Sequence, residues 1–135
     1  DARVRELPWA KFFRAQAFAA LNRWADALPL YEELANDEAS PFLGAATFGA
    51  AEMLRALGKR GEASRKLGVL LHNKEWAIRA QLRAAELYIE MGDAPDAQRL
   101  LEEMKPRSIA ERRERRLLRG RLELLNGRRE QVMPR

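Results

Sequence analysis

The chain has no cysteine and a single histidine. The first absence excludes disulfides, thiolate metal sites and cysteine nucleophiles together. The second leaves no histidine pair to hold a metal and no alternative base for a Ser-His-Asp arrangement. His72 itself stands near an expected helix end and reads as a structural or solvated side chain. Aromatic residues make up 7% of the chain, β-branched residues are few, and no run of about 18 to 20 apolar residues is present to span a bilayer. Residues 1–30 lack the charged, apolar and small-residue sections of a secretory signal. Gly44, Gly49, Gly58 and Gly61 do not have the spacing of a phosphate-binding or dinucleotide-binding loop. Glu32-Glu33 and Glu102-Glu103 are adjacent carboxylates, but neighbouring positions on a helix do not face each other, so neither makes an acid/base pair. The expectation is a protein without catalytic residues, metal or cofactor.

Ala, Leu, Arg and Glu dominate what is there, which predicts helix throughout. At 135 residues the chain has the length of one domain and one cooperative unit. It opens Asp1-Ala2-Arg3-Val4 without Met and ends Met133-Pro134-Arg135, and so reads as a segment of a longer protein. Cytoplasm, periplasm and envelope all stay open as its location. The net charge of +5 is unevenly placed. Residues 105–135 carry eleven Lys/Arg against four Asp/Glu, leaving −2 for residues 1–104.

Laid on itself, the chain repeats. Leu21-Asn22, Leu57-Gly58, Met91-Gly92 and Leu125-Asn126 each set an apolar residue before Gly or Asn, at spacings of 36, 34 and 34 residues. Gly and Asn accept the left-handed conformation that ends a helix, so these are four expected helix stops in register. Upstream stand Phe18, Leu54, Tyr88 and Leu122, and three residues earlier Ala15, Ala51, Ala85 and then Arg119. Downstream, Ala27, Ala63 and Ala97 recur, followed by Tyr31, Leu67 and Leu101, then Leu34, Leu70 and Met104. Several columns sharing one offset mark a true internal repeat. The punctuation predicts helices over roughly 8–21, 24–36, 41–57, 60–72, 75–91, 94–104 and 109–125. Ser40-Pro41 reads as an N-cap with Pro at the first helical position, and Ser108 with Glu111 as a capping box. Pro29 costs little if Asp26 is the N-cap before it, and otherwise predicts a kink.

These columns resemble the tetratricopeptide family over residues 8–126. The match rests on Ala15, Ala51 and Ala85 with Phe18, Leu54 and Tyr88 in the first helices, the turn residues Asn22, Gly58 and Gly92, and Ala27, Ala63 and Ala97 in the second. The family's early Trp is not at its usual place, its closing Pro is approximated by Pro41 and Pro106, and Arg119 replaces the small residue in the last unit. The resemblance implies an all-α fold, a right-handed α-solenoid of antiparallel helical hairpins with about three repeats plus a terminal helix. The repeats would cover 8–43, 44–77 and 78–111 and the last helix 109–125, with other helical-hairpin solenoids as the alternative. Small residues let helix backbones approach closely, and no hairpin buries its apolar stripe without a neighbour.

The family's concave face, lined by first helices, commonly binds peptides or partner helices. By that resemblance the lining comprises Phe12 and Gln16 in the first repeat, then Phe48, Glu52 and Arg55. It continues with Arg79, Leu82, Arg83, Glu86 and Ile89, and ends with Arg113 and Arg116. Arg79 and Arg83 match the third-repeat basic pair of carboxylate-clamping members, whereas Phe12, Gln16 and Gly49 stand where a Lys and two Asn are expected. Arg79, Arg83, Arg113 and Arg116 form a candidate basic stripe for an acidic peptide. The competing expectation has these arginines solvated or paired with Glu52 and Glu86. Trp9, Trp24 and Trp76 read as packing residues, with Trp9, Phe12 and Phe13 marking an end face that a neighbour would cover.

Residues 111–121 join an apolar stripe of Leu117, Leu118, Leu122 and Leu125 to Arg112, Arg113, Arg115, Arg116 and Arg119. The run is either a helix capping the third hairpin or a contact for phosphates, anionic lipid or an acidic protein. The expected function is a non-catalytic scaffold for a protein or peptide partner, with self-association through terminal repeats. The alternatives are nucleic-acid or anionic-surface binding through the Arg-rich helix, and a superhelical support region of a larger enzyme.

Overall fold

The computed structural model describes residues 6–132, with side chains described to residue 128. Within these residues the fold is all-α: seven helices and no strand. They are α1 (Pro8–Ala20), α2 (Trp24–Ala35), α3 (Leu43–Ala56), α4 (Arg60–Gly68), α5 (Ala77–Glu90), α6 (Ala94–Glu103) and α7 (Ile109–Val132). The chain divides into two compact units, Asp1–Leu70 with α1 to α4 and Leu71–Arg135 with α5 to α7.

Three turns are built alike. Asn22, Gly58 and Gly92 have φ of 59°, 82° and 77°. After each, the next residue's N–H reaches back to the large residue of the first helix: Arg23 to the Phe18 carbonyl at 2.8 Å, Lys59 to Leu54 at 2.8 Å, Asp93 to Tyr88 at 2.7 Å. The left-handed residue's own N–H donates to the carbonyl of Ala19, Arg55 or Ile89. This double closure satisfies carbonyls that a helix end otherwise strands, and it fixes how the chain leaves the first helix. The fourth expected stop is not one, for α7 runs through Asn126 and Gly127 to Val132. Asn and Gly permit termination without enforcing it. Among the described residues no helix follows to pack back, and each added helical residue gains a main-chain hydrogen bond.

The small and aliphatic columns of the repeat are buried, whereas Phe18 and Tyr88 are half-buried and Leu21, Leu57 and Met91 exposed. Ala15, Ala27, Ala63, Ala85 and Ala97 are 0% exposed and Ala51 1%. Tyr31, Leu67 and Leu101 are buried, as are Leu34, Leu70 and Met104. The alanines sit where α1 meets α2, α3 meets α4 and α5 meets α6, so any larger side chain there would push two helix backbones apart.

In the first unit α2 packs against both α1 and α3, and α4 against α3. The core joins Ala15, Ala27, Leu30, Tyr31, Leu34, Ala46, Ala50 and Met53. Tyr31 lies so close to α3 that a Cβ on Gly49 would stand 2.7–2.9 Å from its ring. Burial pushes the Tyr31 phenol above its ordinary pKa. Phe42 stacks on Phe12, centroids 4.6 Å apart and planes 13° apart. That stack accounts for a shifted helix start. The Ser40 hydroxyl does not cap α3; it accepts the Phe42 N–H at 3.1 Å, holding Phe42 at the N-cap and starting α3 at Leu43. Nor is Asp26 the cap of α2, which begins at Trp24 and runs through Pro29 to Ala35. Asp26 instead accepts the Arg23 Nε at 2.8 Å.

In the second unit α5 packs on α6, and α7 lies against both. Asp93 caps α6 by accepting the Asp96 N–H at 3.3 Å. The Asp96 carboxyl is raised above its usual value by its hydrogen bond with the Asp93 side chain. Half of the expected capping box of α7 forms: Ser108 Oγ accepts the Glu111 N–H at 3.1 Å, while the Glu111 side chain reaches past Ser108 to accept the Arg107 N–H at 2.7 Å.

Candidate binding surfaces

The first unit places its expected lining residues in different environments. Phe12 is half-buried and engaged on two sides, by Phe42 and edge-on by Tyr31 at 6.1 Å. Gln16, one turn further along α1, is exposed. Phe48, Glu52 and Arg55 are half-buried on α3, and each takes part in polar or ring interactions there.

The second unit gives a more definite arrangement. Leu82, expected on an open face, is 5% exposed and belongs to the packing of α5, which buries Ala80, Ala84, Ala85 and Leu87 as well. Arg79 lies with its guanidinium 4.6 Å from the Trp76 ring centroid. Arg83 donates from Nη1 to Glu86 Oε1 at 2.7 Å, one turn along the helix. Glu86 Oε2 then faces Arg121 Nη1 of α7 at 3.5 Å. The Glu86 side chain keeps 19% of its exposure; a half-buried carboxylate placed between two guanidinium groups offsets its lost hydration with charge.

The expected pairing of Arg83 with Glu86 is therefore present. Arg121, absent from the expected lining, joins it. Arg113 and Arg116, which were included in that lining, are exposed on α7. Spacing along one helix reveals i,i+3 pairs such as Arg83 and Glu86, while a contact over 35 positions, Glu86 to Arg121, depends on how α7 settles on α5.

Beside this cluster a groove of about 270 Å³ runs between α5 and α7, lined by Ile89, Glu90, Arg121, Leu124, Leu125 and Arg128. Three aliphatic side chains form its floor, and two guanidinium groups with the Glu90 carboxylate give it an edge that is basic on balance. A second groove of about 310 Å³ between α6 and α7 includes Leu101, Leu122 and Arg119. Neither collects the groups of a metal centre, and no cluster of three His, Asp or Glu suited to a cation occurs among the described residues. No described helix is long and apolar enough to cross a membrane. Compared with family models, with curated proteins and with solved structures, the chain matches none of them.

Proposed function

We propose that the chain is a non-catalytic binding module of the tetratricopeptide-like kind, a scaffold of helical hairpins whose second unit holds an acidic protein segment. The observation that carries this is the α5–α7 groove, where Arg121 and Arg128 edge a floor of Ile89, Leu124 and Leu125. Guanidinium groups beside apolar surface favour a segment carrying carboxylates around a bulky apolar anchor. The three turns of equal geometry and the fully buried alanines support the hairpin-repeat architecture.

The test is fluorescence anisotropy with labelled peptides that alternate Asp/Glu with Leu or Phe, against counterparts carrying Lys. Acidic peptides should bind and Lys peptides should not. Arg121→Glu/Arg128→Glu, with circular dichroism unchanged, should remove binding; retained affinity in that variant rejects the proposal.

One observation favours a second reading, nucleic-acid binding. Arg112, Arg116 and Arg119 are all exposed and, at spacings of four and three residues, share one side of α7. That function requires steeply salt-dependent binding to random-sequence oligonucleotides, lost in Arg112→Gln/Arg116→Gln/Arg119→Gln.

A further inference from the structure

Two faces of the chain are open and apolar, and they differ in shape and charge. On α1, Trp9 and Phe13 are 55% and 57% exposed. They stand one turn apart with their rings edge to face at 6.3 Å, a single aromatic ridge extended by exposed Leu7. On α7, Leu117 and Leu124 are each 64% exposed. Seven residues apart, they lie on one side of the helix, and Gly120 falls between them. A Cβ at Gly120 would meet nothing within 4 Å. Glycine in the middle of a helix costs about 1 kcal/mol relative to alanine, and nothing packed around Gly120 requires it. What its missing side chain makes is a notch between two leucines, bordered by Arg113 and Arg116 and adjoining the α5–α7 groove, with which it shares Leu124.

The charges around the two faces are opposite. Residues 6–38, which carry α1 and α2, hold six Asp/Glu against three Lys/Arg; residues 105–128 hold nine Lys/Arg against three Asp/Glu. Two α7 faces would set basic against basic, and two α1 faces would set ridge against ridge.

We infer that the two faces are halves of one interface between copies of this chain, the Trp9/Phe13 ridge of one copy seating in the Leu117–Gly120–Leu124 notch of the next. The aromatic rings fill the space over Gly120 while the bordering guanidinium groups meet ring faces and the acidic first hairpin. Such a contact is heterologous: a copy joined through its ridge still carries its notch, so mass should rise with concentration as further ridges and notches are engaged.

Sedimentation velocity on the full chain tests this. The wild type should show a mass that rises continuously with concentration and falls with added salt. Trp9→Ala/Phe13→Ala removes exposed side chains, and Gly120→Leu replaces a poor helix former by a good one, so both should fold, the second with an equal or higher Tm. Each should be monomeric alone. Mixed in equal amounts they should form a dimer of one chain of each kind, since each retains the face that the other lacks. A wild type that stays monomeric, a Gly120→Leu chain that assembles normally, or a mixture that gives no dimer would each overturn the inference.

Discussion

The two units close their helix–helix turns in the same way and attach what comes next in different ways. In the first, α3 meets α2 through shape: the Tyr31 ring occupies the space left by Gly49, and Phe42 is stacked on Phe12. In the second, α7 buries Leu118 and Leu122 and adds charge and main-chain contacts around them. Glu86 faces Arg121 at 3.5 Å, Arg115 Nη1 donates to the Met104 carbonyl at 3.2 Å, and Arg107 Nη1 to that of Lys74 at 3.5 Å. Apolar interlocks are insensitive to salt and intolerant of added volume. Ionic attachments show the reverse pattern.

The largest expected effects test whether the units are independent. Leu67 and Leu87 are both 0% exposed, so Leu67→Ala and Leu87→Ala should each cost about 2–5 kcal/mol. Native-state hydrogen exchange should quicken in α1 to α4 for the first and in α5 to α7 for the second. Exchange quickening throughout the chain in either variant would erase the distinction between the units.

A smaller effect tests the shape-based join. Gly49→Ala should destabilise the first unit by about 1–3 kcal/mol in denaturant melts, because its Cβ has no room beside Tyr31. In the Tyr31→Leu background the same substitution should cost far less. An additive double variant would mean that the ring is not the obstacle.

The smallest effect tests the ionic join. Glu86→Gln should cost about 0.2–1 kcal/mol at low salt and less as salt rises. The Glu86 side chain keeps 19% of its exposure, whereas that of Arg121 keeps 46%, so solvent already screens one partner. A salt-independent loss would point to packing instead.

Most helix boundaries were legible because they are written in local chemistry. Asn22, Gly58 and Gly92 adopt the left-handed conformation that their residue types accept, and Ser108 caps the Glu111 N–H as their spacing encodes. The misreadings fall where a distant partner decides. Ser40 lost its capping role because Phe42 is held against Phe12, 30 positions earlier. Asn126 stays helical, for Asn accepts the left-handed conformation without imposing it. For the site, Arg83 with Glu86 was readable from one helix turn. The part played by Arg121, and the burial of Leu82 on a helix covered over most of its circumference, follow from how whole helices come together. No single-helix periodicity encodes that.

The three left-handed turns also bear on how quickly the chain can organise itself. Each closure ties together residues only five positions apart, Phe18 to Arg23, Leu54 to Lys59 and Tyr88 to Asp93. Bringing such short stretches together sacrifices little chain entropy, and loops of about ten residues close in roughly 10–100 ns. Each turn with its two helices therefore carries its own nucleus. The helix contacts it must next find are with neighbours in sequence, the low-contact-order arrangement associated with folding in microseconds to milliseconds. α7, which makes no such closure among the described residues and packs on both α5 and α6, should dock after those two.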